Sequence, residues 1–511
     1  MSRVLTNNTT LAYALESTVG VLPGSPTWFL TEPDTIGNFG AEVSSVSREP
    51  ISQSRQRQKG TLVDVNSGVE FEHDLTHTIF AGFIESFSFA EAVNANLSFR
   101  ALPVASGGYT IPAATASQAA KLQFVSTGPK SLVYGQGYVN AANNGLKVLT
   151  ADTAAAGVLI AFAGAVVETP SAFANAQVDL AGIRAKIGDL AIVVTGTTAT
   201  LTAGNNGVAG ADRIDFTTLG LTAGQFIHVG GLTITEQFSA GVGYARILTI
   251  SALTLTLDKV TGTLVTDPGT GDTVDLLFGR FVRNVATAAN VDDNRYVERS
   301  YQFEATFQDL GGVGVPKYEY AKGNFANELS FNLPLSEKAT LSFNFIGTTS
   351  SVPSVTRATN GSTPVSPLLT SPFSTATHIY NIGTDVMTSS NTCFQSLTIT
   401  LNNQVSPEKC LGVLGASFLN TGVFLVNVEG QALFTDSAVL DAIRNNTTVT
   451  FNVIMKNENG SIALDFPAMT LGDGGREFPK NESVKVNLMY EAFSHPTFGT
   501  SIGVSFFPVT P

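Results

Sequence analysis

Apolar and polar residues alternate with a period of two along much of this 511-residue chain. Val63, Val65, Val69 and Phe71 alternate with polar neighbours, a pattern typical of a strand with one buried face. The pattern recurs around Phe303, Leu329, Leu341, Leu397, Phe424, Val449 and Val484. A helical period appears only after Asp74, which we predict as the N-cap of a helix, and near Asp436. The chain is therefore predicted to be mainly β, with short helices packed on sheets.

The order of these elements repeats along the chain. A strand at Val63–Glu72 and a helix at Asp74–Glu85 are followed, after a long gap, by three strands that end in SEKATLSFNFIG. A strand at Val423–Phe434 and a helix at Asp436–Arg444 are followed by three strands that end in NESVKVNLMYEAF. We interpret this as a tandem duplication of one unit of packed β-sheets with a flanking helix. A chance similarity between β-patterns is the alternative.

The repeat predicts a division of the chain into five parts. The first unit is discontinuous, with residues 1–95 and 291–349, and the second unit spans 391–495. Residues 96–290 form an Ala/Gly/Thr-rich insertion, in which Gly135–Ala161 resembles Gly224–Asp258 and predicts a pair of small β-modules. Residues 350–390 contain several prolines and are predicted to be an extended connector, and residues 496–511 a C-terminal arm.

A cationic run interrupts the first predicted strand pair. Arg48, Arg55, Arg57 and Lys59 fall within REPISQSRQRQK, which is far longer than the usual hairpin loop of about two to five residues. Such an excursion can be an electrostatic tail, a nucleic-acid contact, or a docking element for another copy of an acidic protein. The composition of the whole chain bears on that choice.

The chain is acidic and sparsely charged. Lys and Arg number 28 against 41 Asp and Glu, which gives a net charge of −13, and charged residues make up 14% of the chain. A nucleic-acid backbone requires clustered cations, so this composition disfavours a nucleic-acid-binding protein. The apolar stretch Ala154–Val167 is too short for a membrane span, and no secretory signal is evident at the N-terminus. We expect a soluble protein that makes no membrane contact and is assembled in the cytoplasm.

No residues form a recognisable catalytic or cofactor site. His73 and His77 resemble a zinc pattern, but Asp74 stands where the pattern needs Glu and no third ligand is near. Gly499-Thr500-Ser501-Ile502-Gly503 matches a nucleophile elbow, yet no acid or histidine follows it. We therefore expect no enzyme activity, no metal and no cofactor.

Several segments resemble the major tail tube proteins of long-tailed, siphovirus-type bacteriophages. The similarity lies in Glu16-Ser17-Thr18-x-Gly20, the single Trp28, the arginine-containing loop and Gly68-x-x-x-Glu72. The runs AKGNFANELSFNLP and LNNQV…NVEGQALF also resemble that family. The similarity is diffuse and covers most of the chain.

The resemblance implies a virion structural protein. Each unit would have two packed β-sheets and a flanking helix, and six units would close into a ring around a lumen. Stacked rings would form a conduit through which DNA passes without specific binding, and a tape measure protein and a tail terminator would be partners. The protein would reside in the virion tail after assembly in the host cytoplasm.

The resemblance also assigns roles to residues. Arg48, Arg55, Arg57 and Lys59 become candidates for an inter-ring docking loop, because a cationic loop can dock on an acidic neighbour. Asp64, Glu70 and Glu72 become candidates for lumen-facing acids, although the opposite face of their strand is the alternative. Because the unit is duplicated, three chains are favoured for a pseudo-sixfold ring, and six chains are the alternative.

Another structural class remains as an alternative to the tail tube. A capsid decoration protein or a surface-exposed β-adhesin would also be rich in strands and poor in catalytic residues. An adhesin would be expected to carry a secretion signal, and a decoration protein would not need a ring-stacking loop.

Overall fold

The computed structural model describes residues 4–509, except 50, 52–55, 57, 95–96, 112–121, 152–158, 172–174, 240, 286–295, 311, 358–362, 369, 386–392 and 436. Strands predominate, and their bounds in the first third of the chain are β1 Thr9–Leu15, β2 Phe29–Thr31, β3 Thr35–Val46, β4 Thr61–Asp74, β5 Ser98–Arg100, β6 Val104–Ala105, β7 Gly108–Thr110, β8 Lys130–Gln136, β9 Gly145–Val148 and β10 Leu159–Ala161. The middle third contains β11 Gln177–Arg184, β12 Ala191–Thr195, β13 Thr198–Thr202, β14 Phe226–Val229, β15 Gly243–Ile250, β16 Thr254–Asp258, β17 Asp275–Leu277, β18 Phe281–Arg283, β19 Ser300–Phe307, β20 Lys317–Leu333, β21 Thr340–Gly347 and β22 Thr349–Ser350. The last third contains β23 Ile379–Thr384, β24 Phe394–Asn402, β25 Ser406–Glu408, β26 Phe418–Asn420, β27 Leu425–Leu433, β28 Val449–Asn457, β29 Gly460–Glu477, β30 Lys485–Ala492 and β31 Gly503–Phe507. In the described part of the chain the α-helices are α1 His77–Phe87 and α2 Ala438–Arg444.

An antiparallel layer of eight strands, the central sheet, runs through both predicted units. Its order is β3-β4-β21-β20-β24-β27-β30-β29, so the first unit supplies four adjacent strands and the second unit supplies the next four. Strands β20 and β29 are long because only their C-terminal halves belong to this layer. The N-terminal half of β20 pairs with β19, and that of β29 pairs with β28 and β31. The fold is mainly β, as the sequence predicted.

The two halves of the central sheet are copies of each other. Strands β21 and β30 are both eight residues long, and each pairs with the strand that precedes the helix of its unit. The turns before them, LPLSEK and FPKNES, place Ser336 and Asn481 at the same position. Both residues adopt a left-handed conformation, with φ of 57° and 66°, which is rare outside glycine. The predicted tandem duplication is therefore confirmed.

One hydrophobic core joins the two units. The inward side chains of the central sheet, including Phe71, Phe343, Leu397 and Tyr490, pack with the buried face of α1 in a single cluster. Helix α1 begins later than predicted, because Thr76 rather than Asp74 caps it by accepting a hydrogen bond from the Ile79 amide. Asp74 instead lies at the end of β4.

The insertion has a core of its own. Strands β5, β8, β9 and β11–β17 form one ten-stranded sheet, and β6, β7 and β10 form a small three-stranded sheet. Side chains between Leu97 and Phe278 make a second hydrophobic cluster, separate from that of the two units. Strand β9 of the first predicted module and β14–β16 of the second lie in the ten-stranded sheet, whereas β10 of the first module lies in the three-stranded sheet.

Two segments outside the predicted units take part in the sheets. Within the predicted connector, β23 pairs with β28. Within the predicted C-terminal arm, β31 lies between β29 and β18 and is buried at every position. The period-two pattern did not reveal β31, because a strand that is buried on both faces shows no alternation.

Candidate assembly surfaces

The central sheet has one apolar face, in the core, and one polar face. Cross-strand hydrogen bonds connect the polar face: Asn402 Nδ2 donates to Glu328 at 2.6 Å, Asn344 Nδ2 donates to Glu70 at 2.5 Å, and Gln431 Nε2 donates to Asn487 at 3.1 Å. Further carboxylates on this face are Glu42, Glu72, Glu429, Glu477 and Glu491. Lys485 is the single cation on this face among the described strand residues. The polar face is therefore acidic and hydrogen bonded, with few groups that could bind phosphate.

The three acids predicted for a lumen lie along the polar side of β4. Glu70 and Glu72 are exposed, whereas Val69 and Phe71, which alternate with them, are buried. Asp64 lies nearer the start of the strand, where Lys409 Nζ contacts both of its carboxylate oxygens at 2.6 Å. The hydrogen bond from Lys409 lowers the pKa of Asp64. Asp64 is thus neutralised within the chain, and Glu70 and Glu72 are not paired with a cation in the described residues.

The cationic run connects β3 and β4, and we call residues 47–60 the cationic arm. Arg48 and Lys59 are described and exposed, whereas Arg55 and Arg57 lie outside the described residues. The strands beneath the arm extend past the core, because Val43 and Val63 are also exposed there. The described part of the arm therefore projects from one end of the central sheet.

A second arm, which the sequence analysis missed, projects from the same end. It connects β24 and β27, the strands that correspond to β3 and β4 in the second unit, and we call residues 403–424 the apolar arm. Its tip exposes Leu411, Val413 and Leu414. The sequence contained one feature that could have revealed this arm, namely a long connection at the same place in both copies of the duplicated unit.

The central sheet ends in two strand edges that have no strand partner among the described residues. One edge is β3, and the other is the C-terminal half of β29. Both have a register irregularity, between Ile36 and Phe39 on β3 and between Asp473 and Arg476 on β29. By contrast, β20 and β24, which join the two units inside the chain, pair with each other without a register irregularity.

Side-chain exposure differs sharply between the junction and the free edge. Leu333 ends β20 at the junction and is 5% exposed, whereas Phe478, its counterpart after β29, is 73% exposed. Leu333 lies opposite Leu397 of the second unit. The duplicated turn, in which Leu333-Pro334 matches Phe478-Pro479, was the sequence signal for this pair.

The insertion is bound to the second unit through buried charges. Arg246 on β15 donates from Nη2 to Asp258 at 2.6 Å and from Nη1 to Asp465 on β29 at 3.1 Å. Nearby, the Tyr244 hydroxyl donates to Ser461 at 2.9 Å. Burial raises the pKa of Asp465 to about 6, against the opposing effect of Arg246. The pair therefore fixes the insertion in one position, at the cost of removing two charges from water.

The two histidines of the zinc-like pattern lie on different elements. His73 lies on β4, with Nδ1 2.6 Å from the carbonyl oxygen of Asp74. His77 lies in the first turn of α1, and its ring packs edge-on against Phe506. None of the helices in the described ranges is long and apolar enough to cross a membrane.

Comparison with known proteins gives one family. A family model described as phage tail tube protein matches residues 6–247 and again residues 244–492. The chain matches none of the curated proteins with which it was compared. The two matches together span more than half of the chain.

Proposed function

Because the chain belongs to the phage tail tube protein family, a family of structural proteins rather than enzymes, we propose that three copies close into a ring and that rings stack into the tube of a long phage tail. In this proposal the protein is the major tube component of a siphovirus-type phage. The junction between β20 and β24 is the observation that carries the proposal.

This junction supplies a template for ring closure. It joins the last strand of the first four-stranded unit to the first strand of the second. Because the units are copies, the C-terminal half of β29 should pair in the same way with β3 of the next chain. By this correspondence, Phe478 of one chain lies opposite Ile36 of its neighbour, as Leu333 lies opposite Leu397. Three chains would then close a barrel of 24 strands, three times the eight of the central sheet.

Closure of the barrel also removes two exposed strand edges. Free edges with unpaired backbone groups favour uncontrolled pairing with other chains, and a closed barrel has no such edges. A ring of six chains remains the alternative, but it would contain 48 strands of this sheet and a correspondingly wider lumen. The duplication favours three chains, because each chain already supplies two units.

The polar face of the central sheet would line the lumen. The apolar face is occupied by the core and α1, so only the polar face can line a channel. Its carboxylates would repel DNA phosphate, and DNA could pass without the affinity that each cation contact adds. Glu70 and Glu429 hold equivalent positions in the two units, so three chains would place six carboxylates at one level.

The cationic arm would then contribute to stacking. Arg48, Arg55, Arg57 and Lys59 would contact an acidic surface of the neighbouring ring, and this contact would set register more than affinity. The insertion, which lies on the flanking strand β29 and has its own core, would decorate the outside. A tape measure protein inside the tube and a tail terminator at its end are the partners expected in the virion after cytoplasmic assembly.

Electron microscopy of the purified protein tests the proposal. We expect hollow tubes with regular transverse striations, and rings with three chains when stacking is prevented. Analytical ultracentrifugation of the rings gives their mass and separates three chains from six. Monomers at high protein concentration, without rings or tubes, would contradict the proposal.

A further inference from the structure

We propose that the apolar arm, residues 403–424, is a second stacking element, which buries its tip against a second copy of this chain in the neighbouring ring. This inference rests on the proposed function. The two copies of the duplicated unit have diverged at this connection: one copy carries a cationic arm, and the other carries an arm with an apolar tip.

The position of the apolar arm limits its partner. In the central sheet β3 and β24 run in the same direction, so both arms leave the same end of the sheet. Ring closure uses the lateral edges of the sheet, so the end of the sheet faces only the next ring. The tip of the arm therefore meets another copy of this chain.

The two arms are connected at their bases. Lys409 of the apolar arm contacts Asp64 on β4, and its Nζ also donates to Asn66 at 2.7 Å. Asn403, at the other end of the arm base, is buried and donates from Nδ2 to the carbonyl oxygens of Phe87 and Ala326. The base is thus fixed on the first unit, and the two arms are presented as a pair.

The tip has a defined shape and an apolar surface. Gly412 and Gly415 adopt left-handed conformations, with φ of 84° and 92°, which other residues rarely tolerate. Between and beside them Leu411, Val413 and Leu414 are exposed, and Phe418 is exposed on β26. Adjacent exposed apolar side chains on a shaped loop are a mark of a protein interface.

The opposite end of the sheet offers an apolar contact of similar kind. The turn between β20 and β21 exposes Leu335, whereas the equivalent position between β29 and β30 is Lys480. The two turns differ in chemistry, as the two arms do. The apolar arm of one ring would contact the apolar turn of the next ring, and the cationic arm would contact a different surface of it. These two unlike contacts would fix the rotation of one three-chain ring on the next.

The test is a double substitution, Leu411→Asp with Leu414→Asp. We expect rings of normal mass and a normal melting temperature, because both side chains are exposed in the single chain. Stacking should require a protein concentration at least about a hundredfold higher, since each buried leucine contributes roughly 1.5–3 kcal/mol and 1.4 kcal/mol is tenfold in affinity. Val139→Asp, at a 96% exposed position of the insertion, is the matched control and should stack normally.

A second measurement does not depend on altering the tip. Cys393 and Cys410 are the two cysteines of the chain, both free and exposed. In a Cys393→Ser variant, Cys410 reports on the arm: it should react rapidly with a maleimide in isolated rings and at least tenfold more slowly in tubes. Equal reactivity in rings and tubes would overturn the inference.

The outcomes separate this inference from the proposed function. Wild-type tubes together with normal tubes of the double variant would overturn the apolar arm and leave the tube function intact. Loss of rings, rather than loss of stacking, would also overturn it, because the arm would then act within a ring. If the wild-type chain forms neither rings nor tubes, both proposals fail.

Discussion

Phe478 provides the sharpest test of ring closure. Its counterpart Leu333 is 5% exposed at the internal junction, whereas Phe478 is 73% exposed in the single chain. Ring closure should therefore bury about two-thirds of the surface of the Phe478 side chain. Burial of that surface is worth roughly 2 kcal/mol per contact. The variant Phe478→Asp loses this contribution and must also desolvate a carboxylate.

The effect on assembly follows from the number of contacts. A three-chain ring has three such contacts and requires two association events, so the loss amounts to about 3 kcal/mol per event. The concentration at which half of the chains are in rings should therefore rise about a hundredfold. Sedimentation velocity over a dilution series measures this midpoint.

Controls separate assembly from folding. Phe478 is exposed, so its substitution should change the free energy of unfolding by less than about 0.5 kcal/mol. Val139→Asp introduces the same charge at an exposed position of the insertion and should leave the midpoint unchanged. Rings of the Phe478→Asp variant at wild-type concentrations would refute the pairing of β29 with β3.

Three further predictions concern charge. Replacement of Arg55, Arg57 and Lys59 by Glu should block stacking but not ring formation, and tubes of normal length in electron micrographs would exclude the cationic arm from stacking. Tubes of the double variant Glu70→Lys with Glu429→Lys should bind short double-stranded DNA in fluorescence anisotropy, with strong salt dependence, whereas wild-type tubes should not bind it. If variant and wild-type tubes bind the DNA equally, the polar face does not line the lumen. Arg246→Met should lower the free energy of unfolding by about 3–5 kcal/mol at pH 7.5, because Asp465 remains buried without its cation. With Arg246 present, burial raises the folded pKa of Asp465 to about 6, above its unfolded value, and loss of Arg246 should raise this pKa further. The penalty belongs to the ionised carboxylate, so it is present at pH 7.5 and should shrink as the pH falls to 5 and the carboxylate takes up a proton. Urea unfolding at the two pH values measures this, and Lys186→Met, which breaks a half-exposed pair with Asp212, should cost less than about 1 kcal/mol at both.

The sequence predicted those features that have a local pattern. Strands with one buried face, such as β4 with Val69 and Phe71, alternate in polarity and were located to within about two residues, in keeping with the usual uncertainty of element ends. The duplicated turns around Ser336 and Asn481 have a proline and a glutamate at the same positions, Pro334 with Glu337 and Pro479 with Glu482. Such features depend on residues that are neighbours in the sequence, so they can be predicted from the sequence alone.

Other features depend on distant partners. Arg246 and Asp465 are 219 residues apart, and nothing near either residue marks the other. Strand β31 is buried on both faces and has no alternation to detect. Thr76 caps α1 in place of Asp74 because β4 continues through Asp74 in its pairing with β21. Tertiary pairing, and not local propensity, decided each of these.

The bulged free edges have a consequence for the kinetics of growth. The irregularities on β3 and β29 interrupt the regular ladder that an incoming strand would need, so two free chains should pair slowly. A chain that docks on an existing ring would be held beside its neighbours, with its β3 and β29 already in position to pair. The barrier would therefore be removed for the chains added next. Growth of tubes from the purified protein should therefore show a lag phase that preformed tube fragments abolish, and in the cell a complex that supplies the first ring would determine where and when a tube begins.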